Sequence, residues 1–576
     1  MNLKLIQLFY YCYFILFFCF SITAHAEPKQ TMSISQKNPD NFAIATAHPL
    51  ATQAGQEILQ QGGNAYDAAI AITATLAVVE PFSSGLGGGG FWLLKQADSD
   101  KISFIDGREM APGQATKDMY LDENGDYIEN SSINGPLSAG IPGTVSALDY
   151  LSKHYGNLPL DKVLAPAIYH AENGFKVTKM YRRFARFRLS QLSRDYESSR
   201  ILLNQGKLPQ IGELIIQKDL ANTLKLIAKK GKKGFYEGIN AEKMVKSVRE
   251  NGGIWTLDDL KNYQVKLRNP IKFQYKNLEV YSAPPPSSGG IALNTILNIL
   301  SKYPLDKLPK VNRTHLIIEA MSRAYRDRAQ YLGDSDFIDI PIDTITSQQY
   351  AAGLRNAISK EKHLPSDLLP GFYYPTQEGN DTTHFVVIDK EGNQVSSTMS
   401  INYPFGSCFI AKGTGILLND EMDDFSAKPG TPNAYGLVGS YANQIEPNKR
   451  PLSSMSPTIV KVSDEKGLAG YALLGTPGGS RIITMVLLGI LDLGQNPDPA
   501  SWVAEPRFHH QYLPDSVGYE KTAFTAEELS LLKSMGHYLK PRREYGNMQA
   551  LWWDTRTGEV KSAADPRGEG SSAVFK

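Results

Sequence analysis

The pattern of apolar and polar residues predicts two strands on either side of a turn near residue 390. Residues 381–389, Asp-Thr-Thr-His-Phe-Val-Val-Ile-Asp, are β-branched or aromatic at most positions and are bounded by turn-forming residues. A turn follows at 390–393 and a second strand at 394–401, so the pattern predicts an antiparallel hairpin. The polar residues 362–381 have no period and predict a loop that leads directly into the first strand.

The rest of the chain alternates between helical and extended patterns. Helices are predicted at 51–61, at 65–79 with Asn64 as its cap, over most of 143–260, and at 291–301 and 315–331. Strands are predicted at 91–95, at 102–106 and between 263 and 281. The very apolar residues 482–493 predict a buried helix that is too short to cross a bilayer. The pattern alone therefore indicates a mixed α and β protein.

A run of glycines at 84–90, Ser-Gly-Leu-Gly-Gly-Gly-Gly, precedes the strand at 91–95. A phosphate-binding loop needs a strand before the glycines and a helix after them. Because the order is reversed here, we reject a nucleotide site and predict that the glycines permit close packing of the backbone.

Two helical segments carry many charges. Residues 179–188 are basic with Tyr181, Phe184 and Phe187 interleaved, and the helical spacing predicts aromatic side chains toward the core and arginines toward water, rather than a membrane or nucleic-acid surface. The helix at 315–331 carries charges that are predicted to form structural ion pairs: Glu319, Arg323, Asp327 and Arg328.

Composition limits the function classes. The chain has 576 residues, 42% hydrophobic and 21% charged, so it is globular and too long for one ordinary domain. Its net charge of +1 argues against a surface built to bind polyanions. The adjacent His509 and His510 point apart on the chain and make a poor metal pair, so no metal site is predicted.

The first residues are typical of an export signal. Lys4 precedes an apolar stretch at 5–22, and Ala24-His25-Ala26 forms a cleavage site, so residues 1–26 are predicted to be a signal peptide and Glu27 the mature start. The apolar stretch is long for a signal, and an uncleaved membrane anchor is the alternative. After cleavage only Cys408 remains, predicted to be a small buried hydrophobe, so no internal disulfide forms. The absence of disulfides favours a bacterial periplasm.

Thr382, at the start of the hairpin, is a strand threonine by propensity alone, but its position permits a second interpretation as a nucleophile. A hydroxyl needs a nearby base at neutral pH. If the chain is cut before Thr382, the new α-amino group has a pKa of about 7.7–8 and accepts the hydroxyl proton.

Several motifs decide between these interpretations. Residues 381–385, Asp-Thr-Thr-His-Phe, and 400–402, Ser-Ile-Asn, resemble the processing site of the γ-glutamyltransferase (glutathione hydrolase) family, whose members are N-terminal-nucleophile hydrolases that cleave themselves before a threonine. The resemblance continues through 415–419, 422–426, 448–457 and 475–481, and spans nearly all of the chain after residue 40.

The resemblance implies a fold, a division of the chain and an activity. The fold is a four-layer αββα sandwich of α+β class, built jointly by a large fragment, 27–381, and a small fragment, 382–576, after cleavage between Asp381 and Thr382. The activity is hydrolysis of glutathione and other γ-glutamyl compounds, or transfer of the γ-glutamyl group to amino acids or dipeptides, without a cofactor. The compartment that the family favours is a Gram-negative periplasm, with secretion or anchoring as alternatives.

The resemblance also assigns roles to individual residues. Thr382 is the nucleophile, Ser400 assists processing and orientation, Gly478 and Gly479 supply backbone donors to the oxyanion, and Tyr435 lies on a lid formed by 427–443. The substrate's α-carboxylate and α-ammonium are assigned to two groups: Arg108, Ser453 and Ser454 for the carboxylate, and Asn402, Glu421 and Asp424 for the ammonium. Ser400 replaces the Thr of many relatives, and Glu421 the Gln of some.

Two other functions stay open at this point. A β-lactam side-chain acylase of the same fold would cleave glutaryl groups, and Asp424 argues against it because an acid that binds ammonium would be idle with a glutaryl ligand. The other alternative is an unprocessed periplasmic binding protein, which would bind γ-glutamyl ligands without turnover.

Overall fold

A computed structural model describes residues 36–369, 382–428, 430 and 432–576. The predicted signal peptide, 1–26, and Asp381 of the predicted cleavage site lie outside the described residues. Within the described ranges, no helix combines the length and the apolar character that crossing a membrane requires.

The strands form two large sheets and three small ones. The bounds are β1 Phe42–Thr46, β2 Gly89–Lys95, β3 Ile102–Gly107, β4 Phe175–Lys176, β5 Leu214–Ile215, β6 Lys266–Arg268, β7 Ile271–Tyr275, β8 Leu278–Ser282, β9 Thr383–Ile388, β10 Gln394–Ser400, β11 Ile410–Ala411, β12 Ile416–Leu417, β13 Thr458–Asp464, β14 Gly467–Gly475, β15 Phe508–His509, β16 Val517–Glu520, β17 Leu539–Arg542, β18 Gln549–Asp554, β19 Val560–Ala564 and β20 Ser571–Phe575.

The helices lie mainly in the first two thirds of the chain. Their bounds are α1 Pro49–Gln60, α2 Ala65–Val79, α3 Thr144–His154, α4 Leu160–Asn173, α5 Lys179–Leu192, α6 Tyr196–Leu202, α7 Lys218–Lys230, α8 Lys233–Tyr236, α9 Gly238–Glu250, α10 Leu257–Asn262, α11 Gly289–Leu300, α12 Lys310–Tyr331, α13 Ile342–Ile345, α14 Gln348–Asn356, α15 Ile482–Leu493, α16 Pro499–Ala504 and α17 Ala526–Ser534. The predicted bounds of α2 and α15 agree with those observed.

The two large sheets stack face to face between helical layers. One has the strand order β20-β1-β9-β10-β2-β3-β6 and the other β19-β18-β14-β13-β8-β7, and all their neighbouring strands are antiparallel. Helices α1 and α2 pack on the outer face of the first sheet, and α11 and α15 on the outer face of the second. The protein is therefore the predicted four-layer αββα sandwich.

Alternation along β9 shows why this strand lies at the centre. Val386 and Ile388 face the second sheet, whereas Phe385 and Val387 face the helices α1 and α2. Every residue of β9 is buried, so the strand is covered on both faces. The predicted hairpin is confirmed, since β9 and β10 pair with Thr383 opposite Met399.

The expectation for residues 179–188 is partly wrong. They form α5, but Phe187 is 61% exposed and Arg188 is buried. The buried face runs through Tyr181, Ala185, Arg188 and Leu192 at helical spacing, and the guanidinium of Arg188 donates to the carbonyl oxygen of Gly406 (3.0 Å) and to the sulfur of Cys408 (3.2 Å). These acceptors satisfy the hydrogen-bonding needs of the buried guanidinium. Because they lie far along the chain, the local sequence around Arg188 could not predict its burial.

The glycine run serves close packing, as predicted. A Cβ on Gly87 would lie 2.1 Å from the carbonyl oxygen of Leu417, and one on Gly88 would lie 2.2 Å from that of Ser400. The backbone before β2 therefore lies directly against the end of β10, which carries part of the site described next.

Candidate active site

Thr382 lies where two cavities meet. It immediately precedes β9, it is 5% exposed, and it lines both a small cavity of about 20 Å³ and a wider cleft of about 240 Å³. Thr382 and Ser400 each stand one residue beyond the cross-strand pair of Thr383 and Met399, so the hairpin brings the two hydroxyl residues to the same end of the sheet. The next residue, Thr383, donates its hydroxyl to Glu80 (2.8 Å).

The small cavity brings together nearly all of the residues that the sequence analysis assigned to the site. It is lined by Arg108, Thr382, Ser400, Asn402, Glu421, Asp424, Tyr435, Ser453, Ser454 and Gly479. Gly478 is the exception, because it lines the wider cleft on the other side of Thr382. Asp381 lies outside the described residues. We call this small cavity the donor cavity.

Arg108 is the buried cation of the donor cavity. It follows β3, and its guanidinium pairs with Glu421 and with Asp424 (2.5 Å to Oδ2), while a third carboxylate, that of Glu109, lies 3.6 Å away. Both Glu421 and Asp424 come from one 3₁₀ turn, Glu421–Asp424, so a single short element presents the two acids. Glu421 and Asp424, which were assigned to the substrate's ammonium group, therefore form ion pairs with Arg108, which was assigned to its carboxylate.

The carboxyl groups around Arg108 have raised pKa values. Burial raises the pKa of Glu109 to about 7 and that of Glu421 well above its usual range, although Arg108 opposes both shifts. Burial also raises the pKa of Asp424. Neither side-chain oxygen of Glu109 has a hydrogen-bond partner within the described residues. The cavity thus holds more acid than its cations balance, which suits a ligand that brings an ammonium group.

Arg328 is a second buried guanidinium beside the cavity, and sequence reasoning missed its role. It was expected to form an ion pair on α12, but it donates to the hydroxyl groups of Ser288 (3.0 Å) and Ser454 (3.3 Å). An ion pair does form between Glu319 and Arg323, and Asp327 pairs with its neighbour Arg326, which the prediction did not include. Only the fold shows that α12 passes behind the loop that carries Ser453 and Ser454, so no sequence signal could have separated Arg328 from its charged neighbours.

Tyr435 covers the donor cavity. Its hydroxyl donates to the carbonyl oxygen of Asn402 (2.5 Å), and only 4% of the residue is exposed. The same loop is attached to the acidic turn, because Asn433 donates to Asp424 (3.1 Å) and the backbone of Ala434 to Asp423 (2.9 Å). The loop is therefore in a closed position over the cavity.

Asn402 has a strained backbone that sets the cavity wall. Its φ is 71°, in the left-handed region, and its amide nitrogen accordingly lies within reach of Ser400 Oγ, to which it donates (2.8 Å). The side-chain amide donates to the carbonyl oxygen of Asp420 (3.0 Å). Both hydrogen bonds fix Ser400 and Asn402 relative to the acidic turn.

Gly478 and Gly479 lie at the beginning of a helix. A 3₁₀ turn, Gly479–Arg481, leads directly into α15, so the partly positive helix N-terminus is directed toward the region of Thr382. Both glycines have positive φ, 142° and 56°, and a Cβ on Gly479 would lie 2.3 Å from the ring of Tyr435. Glycine is therefore required here by conformation and by the closeness of Tyr435.

Glu80 is a further site residue, which the sequence analysis did not identify. It follows α2, lines the wider cleft with Thr382, and accepts the hydrogen bond of Thr383. Burial raises its pKa to about 7, although the hydrogen bond from Thr383 opposes the shift. A titratable acid thus lies beside the candidate nucleophile. Glu80 and Thr383 are 303 positions apart in the sequence, so their hydrogen bond could not be predicted from local pattern.

A histidine network lies outside both cavities. His315, Glu319 and His537 have their ligand atoms within 4.8 Å of one another, and the two histidine rings share a hydrogen bond (2.8 Å). Glu319 also pairs with Arg323 and His363, so the group is stabilised by its own charges. His509 and His510 bond to different partners, Gln511 and Asp515.

With this geometry established, comparison with known proteins identifies the family. A family model described as gamma-glutamyltranspeptidase matches residues 51–575. The chain belongs to the γ-glutamyltranspeptidase family. Among its relatives are the glutathione hydrolase proenzymes of Pseudomonas sp. (strain A14), 44% identical with 86% of each chain covered, and of Escherichia coli (strain K12), 42% identical with 91% of this chain and 90% of the relative covered.

Solved structures of a cephalosporin acylase and of γ-glutamyltranspeptidases share this architecture. A cephalosporin acylase from Bacillus halodurans has a TM-score of 0.81 at 28% identity and covers 96% of this chain and 99% of its own. The γ-glutamyltranspeptidase of Helicobacter pylori has a TM-score of 0.55 at 38% identity over 56% of this chain and 94% of its own. Both are N-terminal-nucleophile hydrolases, so the predicted fold superfamily is confirmed.

Proposed function

We propose that this protein is a self-cleaving γ-glutamyl acyltransferase that hydrolyses glutathione and other γ-glutamyl compounds and transfers the γ-glutamyl group to amino acids or dipeptides. The observation that carries the proposal is the donor cavity beside Thr382. Its buried guanidinium and its excess of carboxyl groups match both ends of an α-amino acid zwitterion. The names of the relatives support the same substrate class.

The site residues take the following roles in the proposed reaction. The Thr382 hydroxyl attacks the γ-carbonyl while the freed α-amino group of Thr382 accepts its proton and then passes it to the leaving nitrogen. The C–N bond breaks, a γ-glutamyl ester of Thr382 remains, and water or an acceptor amine cleaves the ester. The backbone at Gly478 and Gly479 stabilises the oxyanion with the help of the helix N-terminus of α15.

Binding of the glutamyl head requires the ion pairs of the donor cavity to rearrange. The α-carboxylate would take Arg108, Ser453 and Ser454, and the α-ammonium would take Asn402, Glu421 and Asp424. Arg108 presents a planar fork of donors that matches a carboxylate bidentately. The substrate would therefore insert between the guanidinium and the acids that hold it in this structure.

Processing and location belong to the same proposal. Cleavage between Asp381 and Thr382 would produce a large fragment, 27–381, and a small fragment, 382–576, after removal of a signal peptide, 1–26. The exported heterodimer would act in the periplasm. The Ala24-His25-Ala26 motif and the placement of Thr382 at the cavity support these steps.

A comparison of two chromogenic donors tests the function. Wild-type protein should hydrolyse γ-glutamyl-p-nitroanilide at least about 100-fold faster than glutaryl-p-nitroanilide, because the buried acids stay unpaired when the ligand lacks an ammonium group. Thr382→Ala should hydrolyse neither. A preference for the glutaryl donor would instead support the acylase alternative, and binding of glutathione without turnover by the wild type would support a binding protein.

A further inference from the structure

The wider cleft on the far side of Thr382 is rich in arginine. It has a volume of about 240 Å³, and Thr382 lines both this cleft and the donor cavity. Five arginines line it against two glutamates. The arginines are Arg183, Arg481, Arg542, Arg543 and Arg567. We call this cleft the basic cleft.

Two of these guanidinium groups, those of Arg183 and Arg543, are exposed and can donate hydrogen bonds to an anion. Arg183, on α5, contacts the ring of Phe184 at 5.5 Å and makes no hydrogen bond or ion pair within the part of the chain that the structure describes. Arg543 follows β17 and is likewise without such a partner among the described residues. By contrast, Arg567 is already neutralised by Glu520 and Asp565.

The basic cleft also has an apolar part. Phe82, Met180 and Tyr545 line it, and the ring of Tyr545 lies 4.6 Å from the guanidinium of Arg481. Its volume of about 240 Å³ lies just below the roughly 300–1,000 Å³ that is typical of ligand pockets, so the cleft suits a small ligand of about dipeptide size. The combination of cations and apolar surface suits a small peptide with a free carboxylate.

We propose that the basic cleft binds the carboxylate of the peptide that leaves the donor, and the carboxylate of an incoming amino acid or dipeptide acceptor, through Arg183 and Arg543. This assignment rests on the proposed γ-glutamyl transfer. With the glutamyl head in the donor cavity, the scissile bond lies at Thr382, and the leaving nitrogen and everything attached to it extend to the other side, into the basic cleft.

The same geometry serves both half-reactions. In the first, the acyl C–N bond breaks and the leaving amine takes the proton that came from Thr382 Oγ. In the second, the acceptor amine enters by the same side, attacks the ester carbonyl and loses a proton to the α-amino group, and Thr382 regains its hydroxyl. A carboxylate anchored at Arg183 and Arg543 would hold either amine near the carbonyl carbon.

The test combines substitutions of arginines in the basic cleft with donors whose leaving groups either carry or lack a carboxylate. Arg183→Gln and Arg543→Gln are compared with Arg186→Gln, an exposed arginine on the same helix as Arg183 that does not line the basic cleft. Each variant is assayed with glutathione and with γ-glutamyl-p-nitroanilide, whose leaving group has no carboxylate. The wild type is assayed in addition with the glycine-amide analogue of glutathione.

We expect each cleft variant to lower the ratio of kcat/KM for glutathione to kcat/KM for γ-glutamyl-p-nitroanilide about fivefold, the effect of one partly exposed ion pair. Arg186→Gln should leave this ratio as in the wild type, and the wild type should prefer glutathione to its amide analogue by a similar factor. The KM for glutathione should rise with salt in the wild type and less steeply in the variants.

The outcomes separate the two claims. If the wild type cleaves both donors but the ratio is the same in all variants, or if glutathione and its amide react equally well, the cleft assignment is wrong and the proposed function stands. If the wild type cleaves neither donor, the proposed function fails and the cleft assignment fails with it.

Discussion

At the scale of single residues, Arg108 is surrounded by more carboxyl groups than one guanidinium neutralises. Glu109, Glu421 and Asp424 all lie within 4 Å of it, and Arg328 is the other buried cation nearby. In the absence of a ligand, protonation of these acids is the way to relieve the imbalance, as the raised pKa values indicate. An incoming ammonium group removes the need for those protons.

Ligand binding should therefore release protons. Binding of glutamate, the product head group, stabilises the ionised form of the acids and lowers their pKa values. Protons therefore leave at pH 6–7, where at least half of Glu109 is protonated because its pKa is about 7. Calorimetric titrations of the processed enzyme in two buffers with different ionisation enthalpies measure the number of protons released on binding. Affinity should rise between pH 6 and 8, and an uptake of protons on binding would contradict this description of the cavity.

A substitution at Gly479 should lower activity, whereas the same substitution at a glycine far from the site should not. Gly479→Ala places a Cβ 2.3 Å from the ring of Tyr435 at a φ of 56°, so it displaces the tyrosine and the oxyanion donors, and we expect kcat/KM to fall on the order of 100-fold. Gly353→Ala, in α14, is the matched control because a Cβ there meets nothing within 4 Å. That variant should keep full activity and gain about 0.5–1 kcal/mol of stability. Equal activity of both variants would exclude the proposed role of Gly479.

At the scale of elements, the sequence predicts those whose identity depends on local pattern. The helices at Ala65–Val79 and Ile482–Leu493 and the central hairpin are recognisable from caps, apolar runs and turn residues. What could not be predicted depends on partners far along the chain. Arg188 is buried because Gly406 and Cys408 accept its hydrogen bonds, and Arg328 faces serines of another loop.

The candidate site shows the same division. A family resemblance identified the residues of the donor cavity, and the structure brings them together around Thr382 and Arg108. Neither pattern nor resemblance indicated Glu80 or the basic cleft, because these form where α2, α5 and the loop after β17 meet.

The segment that follows α14 is held by a pH-sensitive contact. His363 bridges Glu319 (2.6 Å) and Asp515 (3.1 Å), and the backbone of Ser366 donates to Asp515 (2.9 Å). Burial alone lowers the pKa of His363, but its hydrogen bonds to the two acids outweigh burial and raise the pKa to about 9. The protonated ring therefore fixes residues 363–369, the last that are described before Thr382.

Because the folded pKa of His363 exceeds its unfolded value of 6.5, its stabilisation is complete below pH 6.5 and is lost as pH rises through 9. We expect the wild type to lose on the order of 2 kcal/mol of unfolding free energy between pH 6 and pH 9.5 from this residue. Urea unfolding at a series of pH values measures it. His363→Gln should be less stable at pH 6 and should lack this part of the pH dependence, whereas an unchanged profile would show that His363 is neutral in the folded protein.

At the scale of the whole molecule, the two predicted fragments are interleaved in both sheets. In the first sheet, β9 and β10 of the second fragment lie between β1 and β2 of the first, and in the other sheet β13 pairs with β8. Cleavage before Thr382 would leave every one of these strand pairs intact. Separation would expose unpaired edges in the middle of both sheets.

The cleaved protein should therefore behave as one folding unit. With an affinity tag on the small fragment only, the large fragment should co-purify at a one-to-one ratio in high salt, since strand pairing and buried apolar surface hold it. Both fragments should unfold in a single transition in urea. Dissociation under native conditions, or two separate transitions, would contradict the interleaved assembly.

The most direct test of the central claim is the intact mass of the purified mature protein beside Thr382→Ala. We predict two fragments for the wild type, the smaller starting at Thr382, and a single chain for the variant. This result would place the free α-amino group on the residue that lies between the donor cavity and the basic cleft. A single wild-type chain under the same conditions would remove the catalytic amine and contradict the mechanism.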